Sequence, residues 1–241
     1  MKEASKLHII VSSDQKAAEF LDNVKNQAVW DMEVDKEITV YEEEILLLKE
    51  NWTLMREEAL VLMKNVSIEN GWLSFPKTYN ISGNWSEYPL FTYGAKRHHH
   101  CGSAPETCKI LKSFPASSKF KRGTVKFIAI QPETKLFGFH GPTNAVLRAH
   151  LGLQMPSDGA EKAVLQVGKH HQLQLNEGHT VIFDNSFDRT YINHSSKEPI
   201  LLLSFDIPNP DLSQDMKQMS YTLGLGHFLF FSFKINILAY N

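Results

Sequence analysis

The sequence predicts an α+β fold in which an antiparallel β-barrel or double-stranded β-helix follows a helical and loop-rich layer. An amphipathic segment in the first third of the chain predicts the helical part, and a long irregular stretch follows it. From residue 124 onwards, short apolar or alternating runs are separated by Gly, Pro, Asn and Asp turns. Half a dozen short strands at this spacing are typical of a sandwich or barrel.

The composition indicates one compact domain without a nucleic-acid partner. The chain has 241 residues, 42% of them hydrophobic, and a formal net charge of −2 with both signs interspersed. No stretch reaches the roughly 18 uninterrupted apolar residues of a membrane span. Lys234 and Asn236 interrupt the apolar run at 227–241, and the N-terminus lacks the apolar core of a signal peptide. We therefore expect a soluble domain, and an upstream anchor would lie outside this sequence.

The N-terminal part contains a poorly defined segment and then one clear helix. Residues 1–27 show weak periodicity, and within them residues 14–27 are consistent with a short helix. The spacing over residues 42–66 predicts an amphipathic helix with one buried stripe, which we interpret as scaffold rather than site. The stripe residues recur at three- and four-residue steps and are Ile45, Leu48, Trp52, Met55, Ala59 and Leu62.

Residues 66–123 are rich in aromatic residues but lack regular periodicity, which is typical of a functional loop region or a covering lid. The three adjacent histidines at 98–100 suggest metal binding, but neighbouring side chains cannot all point one way, so we expect an exposed loop there. Cys101 and Cys108 either close a disulfide, worth about 2–3 kcal/mol in the chain-entropy model, or stay free thiols in a reducing compartment. Their spacing alone leaves both alternatives open.

Residues 137–156 carry the first candidate site residues. Side chains alternate along a strand, so Arg148 and His150 share one face, while the positions between and after them form an apolar wall. In a closed barrel the first face lines the interior, where a guanidinium beside an imidazole would bind an anion such as a carboxylate. The alternative is that this face meets solvent and the pair has no role. His140 precedes the turn at 141–144, where a lone histidine is more often a surface residue.

Two motifs connect the chain to a known family. Residues 141–153 read GPTNAVLRAHLGL, and residues 177–187 read EGHTVIFDNSF. With these motifs, the chain resembles the catalytic domain of aspartyl/asparaginyl β-hydroxylases, which are Fe(II)- and 2-oxoglutarate-dependent oxygenases. The resemblance runs from about residue 28 to about residue 220.

The resemblance implies a domain organisation. It suggests a double-stranded β-helix, that is, a jelly-roll or cupin-like barrel, over residues 28–221. Within it, residues 28–123 form the helical and loop-rich layer, and residues 124–221 form the β-helix core. Residues 222–241 are left as an unrelated hydrophobic tail.

The resemblance also implies a disulfide, a compartment and a substrate. The family closes a disulfide at this spacing, so Cys101–Cys108 becomes the expected pair, and an oxidising lumen, first of all the endoplasmic reticulum, becomes the expected location. Known substrates of the family are Asp or Asn side chains in epidermal-growth-factor-like (EGF-like) domains, which makes such peptides the expected partners. Arg148 and His150 match the pair that binds the near carboxylate of 2-oxoglutarate.

The chain departs from the family at both iron-binding positions. The family holds iron with two histidines, and here Phe139 stands at the first position and Arg189 at the second. A guanidinium stays protonated and has no lone pair to give, so Arg189 cannot ligate Fe(II). His140 lies one place later and points outward in regular strand geometry, although a bulge would turn it inward as a metal ligand.

The far-carboxylate site of 2-oxoglutarate departs from the family as well. Ile128 stands in place of a serine, and Ile200, preceded by Pro199, stands in place of an arginine. Lys197 is the nearest cation, but it would need a shift of two or three positions. Asn185 replaces the carboxylate that is thought to order water near the metal.

These departures predict a β-hydroxylase-like domain that has lost its iron and half of its cosubstrate site, and that binds a small carboxylate or a peptide. Arg189 would supply positive charge in place of the metal. The alternative is an active Fe(II)- and 2-oxoglutarate-dependent hydroxylase of EGF-like domains that uses His140 and a further, unidentified ligand. A third interpretation, prompted by the tail at 222–241, is a faulty gene end and a chain without a biochemical role.

Overall fold

Two antiparallel β-sheets enclose a barrel interior in the computed structural model, which describes residues 14–22, 24–74 and 80–222. Within these residues, the eight-stranded major sheet contains β1 (Val29–Trp30), β2 (Leu73–Ser74), β4 (Trp85–Thr92), β5 (Ala95–Lys96), β6 (Thr124–Ile130), β8 (Val146–Gln154), β11 (Thr180–Asp184) and β13 (Ile200–Pro208). In the same part of the chain, the five-stranded minor sheet contains β3 (Asn80–Ser82), β7 (Lys135–Phe139), β9 (Ala163–Val167), β10 (His171–Gln174) and β12 (Arg189–Asn193).

From β6 onwards, the chain crosses back and forth between the two sheets. Strands β6, β8, β11 and β13 belong to the major sheet, and the strands between them belong to the minor sheet. The strand order is β1-β11-β8-β13-β6-β4-β2 in the major sheet, with β5 paired to β4, and β10-β9-β12-β7-β3 in the minor sheet. This alternation of antiparallel strands builds a double-stranded β-helix, and the predicted α+β fold class is confirmed.

The major sheet separates two hydrophobic cores. On the side of the barrel interior, Ile128, Ile200 and Leu202 pack with Leu165 and Tyr191 of the minor sheet. On the other side, alternate residues of the same strands pack against helices. The outer set includes Leu147, Ala149, Leu151, Leu203 and Phe205.

The helical layer covers this outer face of the major sheet. The amphipathic helix predicted over 42–66 is confirmed, but it breaks into two helices at Asn51, whose side-chain Nδ2 donates to Leu47 O at 2.8 Å. An asparagine side chain that bonds the backbone competes with regular helix geometry. The helices are α1 (Glu42–Glu50), α2 (Trp52–Met63), α3 (His98–Ser103), α4 (Pro105–Lys112), α5 (Pro115–Ser118) and α6 (Gln214–Thr222).

The expected disulfide is present. Cys101 in α3 and Cys108 in α4 are bonded, with their Cα atoms 5.6 Å apart, and both are buried in the outer core. Pro105 lies in the first turn of α4, where its missing N–H is not needed. The disulfide therefore fixes the corner between two short helices under the major sheet.

The expectation of a loop-rich stretch over 66–123 is wrong in its central part, which forms strand β4 and helices α3 to α5. Strand β4 pairs with β6 inside the major sheet, and it is covered on both faces, so it shows no polar alternation. Pro89 coincides with a register shift in this pairing. Because a proline inside a run of residues argues against a strand, the sequence pattern did not predict β4.

The three histidines at 98–100 begin α3 and do not form a loop, although His98 and His99 are exposed as expected. His100 is half-buried, because its ring stacks on Tyr88 at 4.4 Å and its Nδ1 lies 2.6 Å from Pro89 O. Among the described residues, no group of three or more His, Cys, Asp or Glu side chains is placed to hold a metal ion.

The short helix considered for residues 14–27 is not formed in the described residues of this segment. Their backbone bonds go to the barrel instead, since Lys16 N donates to Ser186 O at 3.0 Å and Glu19 N donates to Pro142 O at 2.9 Å. Residues 223–241, and with them nearly all of the predicted tail, lie outside the described residues. None of the described helices combines the length and the hydrophobicity that crossing a bilayer requires.

Candidate functional site

A polar cluster lies in the barrel interior on strands β8, β12 and β13. Arg148 and His150 point inward from β8, and they are 9% and 0% exposed. The residues that alternate with them belong to the outer core. The structure thus places the predicted pair in the barrel interior and not in solvent, because β8 is buried on both faces.

Arg148 already has a carboxylate partner inside the protein. Its Nε and Nη2 donate to the two carboxylate oxygens of Asp206 at 2.7 and 3.0 Å. These residues lie directly opposite each other in the pairing of β8 with β13. Burial opposes both charges, but the pairing outweighs it, so the pKa of Arg148 is raised and that of Asp206 is lowered. The bidentate pair therefore uses much of the donor capacity that the sequence assigned to an external anion.

His150 is a neutral, fully buried imidazole. Its Nε2 lies 2.8 Å from the Tyr191 hydroxyl of β12. Its Nδ1 has no hydrogen-bond partner among the described residues. Burial, followed by the charges of Arg148 and Arg189, lowers the pKa of His150 well below its usual value. A neutral ring donates through only one nitrogen, so Nδ1 carries the proton in the tautomer in which Tyr191 donates to Nε2.

Arg189 lies in the same interior and is 1% exposed. Its Nη1 donates to Asn185 O at 2.7 Å, whereas its Nε and Nη2 have no hydrogen-bond acceptor in the described part of the chain. Its guanidinium carbon lies 5.0 Å from the ring of Phe139 and 5.3 Å from that of Phe183, within the range of cation–π contacts. Burial lowers the pKa of Arg189 to about 10.

The other interior cation is paired. Lys126 Nζ lies 2.6 Å from Glu87 Oε2, and burial lowers the pKa of Lys126. Asp184 adds a carboxylate at the end of β11, but its Oδ1 is bonded to Ser186 and burial raises its pKa to about 6. Lys126 and Arg148 therefore each have a carboxylate in contact, and Arg189 is held by a backbone carbonyl and two aromatic rings.

The two positions expected from the resemblance to hold iron are neighbours on paired strands of the minor sheet. Phe139 of β7 is the direct cross-strand partner of Arg189 in β12, and the register then shifts by one residue before Tyr191. The bulge considered for this strand end is thus present, but it turns the Phe139 ring, not His140, towards Arg189. A phenyl ring and a guanidinium supply no lone pair, so this donor set does not fit Fe(II).

His140 lies on the rim of the barrel, with its side chain 34% exposed. Its Nδ1 lies 2.9 Å from Asp188 Oδ1, and the second oxygen of Asp188 pairs with Lys16. The geometry therefore gives His140 a hydrogen-bonding contact with Asp188 at the surface and does not support it as an inward metal ligand.

The predicted far-carboxylate positions are apolar and tightly buried. Ile128 and Ile200 lie in the interior core at 2% and 0% exposure, next to Leu202 and Ile130 across the strands. Lys197 is exposed in the loop before β13 and does not replace the absent arginine. The residues present thus do not fit 2-oxoglutarate in the way the family binds it.

Sequence reasoning missed the partners of the predicted residues. Asp206, Tyr191, Lys126 and Glu87 lie on strands far from β8 in the chain, and only the sheet registers bring them together. One signal was available, since Asp206 is a lone charge within the apolar strand that begins at 200.

The fold and its interior define a class of protein, namely a cupin-like double-stranded β-helix domain with a polar cluster between its sheets. Residues 49–210 match the family model of aspartyl/asparaginyl beta-hydroxylase, and the chain belongs to that family.

Similar proteins differ in length from this chain. Human aspartyl/asparaginyl beta-hydroxylase is 31% identical over 182 residues, which cover 75% of this chain and 23% of the relative. The ornithine lipid ester-linked acyl 2-hydroxylase of Rhizobium tropici is 25% identical over 173 residues, which cover 72% of this chain and 55% of the relative. A crystal structure of a Pseudomonas putida prolyl-4-hydroxylase matches with a TM-score of 0.40 at 12% identity, covering 65% of this chain and 87% of that chain. This chain thus spans less than a quarter of the human relative.

Proposed function

We propose that this chain is a β-hydroxylase-like domain that does not assemble the iron centre and instead binds a carboxylate-bearing ligand, a small carboxylate or an acidic peptide side chain. One observation carries the proposal: at the second position expected to hold iron stands Arg189, buried, positively charged and with two guanidinium nitrogens, Nε and Nη2, unpaired among the described residues. A buried cation without a hydrogen-bonded counter-charge is costly, and an anion relieves that cost.

The chain's own residues indicate how such an anion would be held. Nε and Nη2 of Arg189 are adjacent donors, which suits a carboxylate with two oxygens. In the tautomer in which Tyr191 donates to Nε2, Nδ1 of His150 is a further donor in the same interior. Arg148 stays with Asp206 in a neutral ion pair and does not contact the ligand, so Arg189 supplies the positive charge.

The proposed location is an oxidising compartment, with the endoplasmic reticulum as the first candidate. The buried Cys101–Cys108 disulfide supports this, because such bonds persist where thiols are oxidised. EGF-like-domain peptides are the first class of peptide to test, because the name of the human relative describes hydroxylation of aspartyl and asparaginyl residues.

Anaerobic Fe(II) titration tests the loss of the iron centre, with succinate release from 2-oxoglutarate as the second readout. We expect neither binding nor turnover in the wild-type chain, and we expect Phe139→His/Arg189→His to gain iron affinity. The single substitutions serve as controls and should gain little. Stoichiometric iron with succinate release in the wild type, abolished by His140→Ala, would establish the active-hydroxylase alternative instead.

Thermal unfolding in acetate, succinate and 2-oxoglutarate tests the carboxylate site. We expect the Tm of the wild type to rise with carboxylate concentration, and the Tm of Arg189→Met to stay constant. A ligand at roughly 100 times its Kd adds about 2.7 kcal/mol to the free energy of unfolding. Equal shifts in both proteins would contradict a site at Arg189.

A further inference from the structure

Residues 14–21, which we call the N-terminal strap, lie extended across the rim of the barrel. The rim consists of the turn at 141–144 and the loop at 185–188, and the strap forms one isolated β-bridge to each. The backbone bonds that join them are Lys16 N to Ser186 O (3.0 Å), Glu19 N to Pro142 O (2.9 Å) and Asp188 N to Asp14 O (2.8 Å).

The first charged residues of the strap meet opposite charges. Asp14 accepts a hydrogen bond from the backbone N–H of Lys169 at 2.9 Å and pairs with its Nζ at 2.7 Å. Two residues later, Lys16 Nζ lies 2.5 Å from Asp188 Oδ2. The body of the barrel thus presents a cation and then an anion along the path of the strap.

An amide and a second acid complete the pattern. Gln15 is 1% exposed, and its Nε2 donates to Ser186 Oγ at 2.9 Å. Glu19 pairs with Arg122 in the loop before β6. The strap is therefore recognised through its backbone and through four side chains of defined chemistry.

Apolar anchoring begins only after these residues. Val24 packs with Ala145 and Leu212, and Leu21 lies against this small cluster. Polar contacts hold the strap itself: Gln15 is buried, whereas the ion pairs made by Lys16 and Lys169 are partly exposed. Each partly exposed ion pair is worth about 0–1 kcal/mol and is screened by salt. Opening of the strap is therefore a local event that leaves the barrel folded.

We propose that the rim is a binding site for an extended peptide, filled here by the chain's own strap. A peptide that carries an acid, an amide, a cation and, three residues later, an acid binds there in trans when the strap is released. Backbone bonds supply affinity and side-chain partners supply specificity, as in β-strand addition. This site lies outside the barrel interior, so it needs neither iron nor an anion at Arg189.

The test uses the full chain with Lys16→Glu, which sets like charges against Asp188, and a synthetic peptide with the sequence of residues 14–22. We expect amide exchange at positions 16 and 19 to become at least about tenfold faster. We expect peptide binding, measured by fluorescence anisotropy, to be at least about tenfold tighter than to wild type, where the tethered strap competes at millimolar effective concentration. A peptide with Lys16→Glu should not bind, and the matched control Lys64→Glu, an exposed lysine after α2, should behave as wild type.

Faster exchange without peptide binding would overturn the proposal, because the rim would then be open and yet not bind. If Lys16→Glu leaves the amides protected, Gln15→Ala/Lys16→Glu removes the second anchor. Protection that persists in this double variant also overturns the proposal, because the polar contacts would not be what holds the strap. These outcomes do not involve metal or small carboxylates, so they are distinct from failure of the proposed function.

Discussion

Replacing Arg189 by methionine is expected to stabilise the protein in carboxylate-free buffer, whereas the same replacement of Arg148 is expected to destabilise it. Burial lowers the pKa of Arg189 from 12.5 to about 10. At about 1.4 kcal/mol per unit, this lowering corresponds to roughly 3 kcal/mol against the charged form in the folded state. Loss of the bond to Asn185 O and of the ring contacts offsets about 1–2 kcal/mol of that.

The net expectation for Arg189→Met is an increase of about 1–2 kcal/mol in the free energy of unfolding. Arg148→Met leaves the buried carboxylate of Asp206 without its bidentate partner, and this should cost about 3–5 kcal/mol. Both variants replace a buried arginine by methionine. The opposite signs of their expected stability changes therefore reflect that Arg148 has a hydrogen-bonded carboxylate partner and Arg189 has none among the described residues.

Urea unfolding, followed by the fluorescence of the four tryptophans, measures both effects on one scale. The buffer should contain no carboxylate and little chloride, because either anion would stabilise the wild type. A loss of stability in Arg189→Met as large as that in Arg148→Met would refute the reasoning, since it would show that Arg189 is a fully compensated structural cation.

Three further outcomes follow from the geometry. Burial raises the pKa of Asp184 to about 6 from 3.8, so the folded state holds the carboxyl proton more tightly than the unfolded state does. The free energy of unfolding should therefore fall as pH rises from about 4 to 6. Asp184→Asn should remove this pH dependence in urea titrations across that range. Cys101→Ser/Cys108→Ser should lower the free energy of unfolding by about 2–3 kcal/mol in non-reducing buffer. A reductant should lower the Tm of the wild type only, and an equal drop in this variant would contradict a disulfide effect. His140→Ala should change stability by less than about 1 kcal/mol, because it breaks only a partly exposed pair, and a larger loss of Tm would show that His140 has a buried role.

The fold was predictable because its periodicities are local. The alternation along β8 places Arg148 and His150 on one face, and the spacing from Ile45 to Ala59 predicts a buried helix stripe. Strand β4 could not be found in this way, because Pro89 and burial on both faces remove the alternation that marks a strand.

The sequence identified Arg148 and His150 as residues of the candidate site, but not the residues that they contact. Arg148 and Asp206 are separated by 58 positions in the chain, and their contact follows from sheet register. The sequence therefore predicted that Arg148 binds an external anion, whereas in the structure its partner is the carboxylate of Asp206. The strap escaped prediction for a related reason, since its hydrogen bonds go to residues more than 100 positions away, such as Asn144, and not to its own backbone.

Phe139 and Arg189 are direct cross-strand neighbours in the minor sheet, so a substitution at one position acts on the other. A histidine introduced at 139 alone would lie against a fixed positive charge, which disfavours a second cation beside it. A histidine introduced at 189 alone would face a phenyl ring and remain a solitary donor. Neither single substitution supplies two nitrogen ligands, so both positions would have to change together before a ferrous ion could bind, and the apolar Ile128 and Ile200 would still leave the far-carboxylate positions unfit for 2-oxoglutarate.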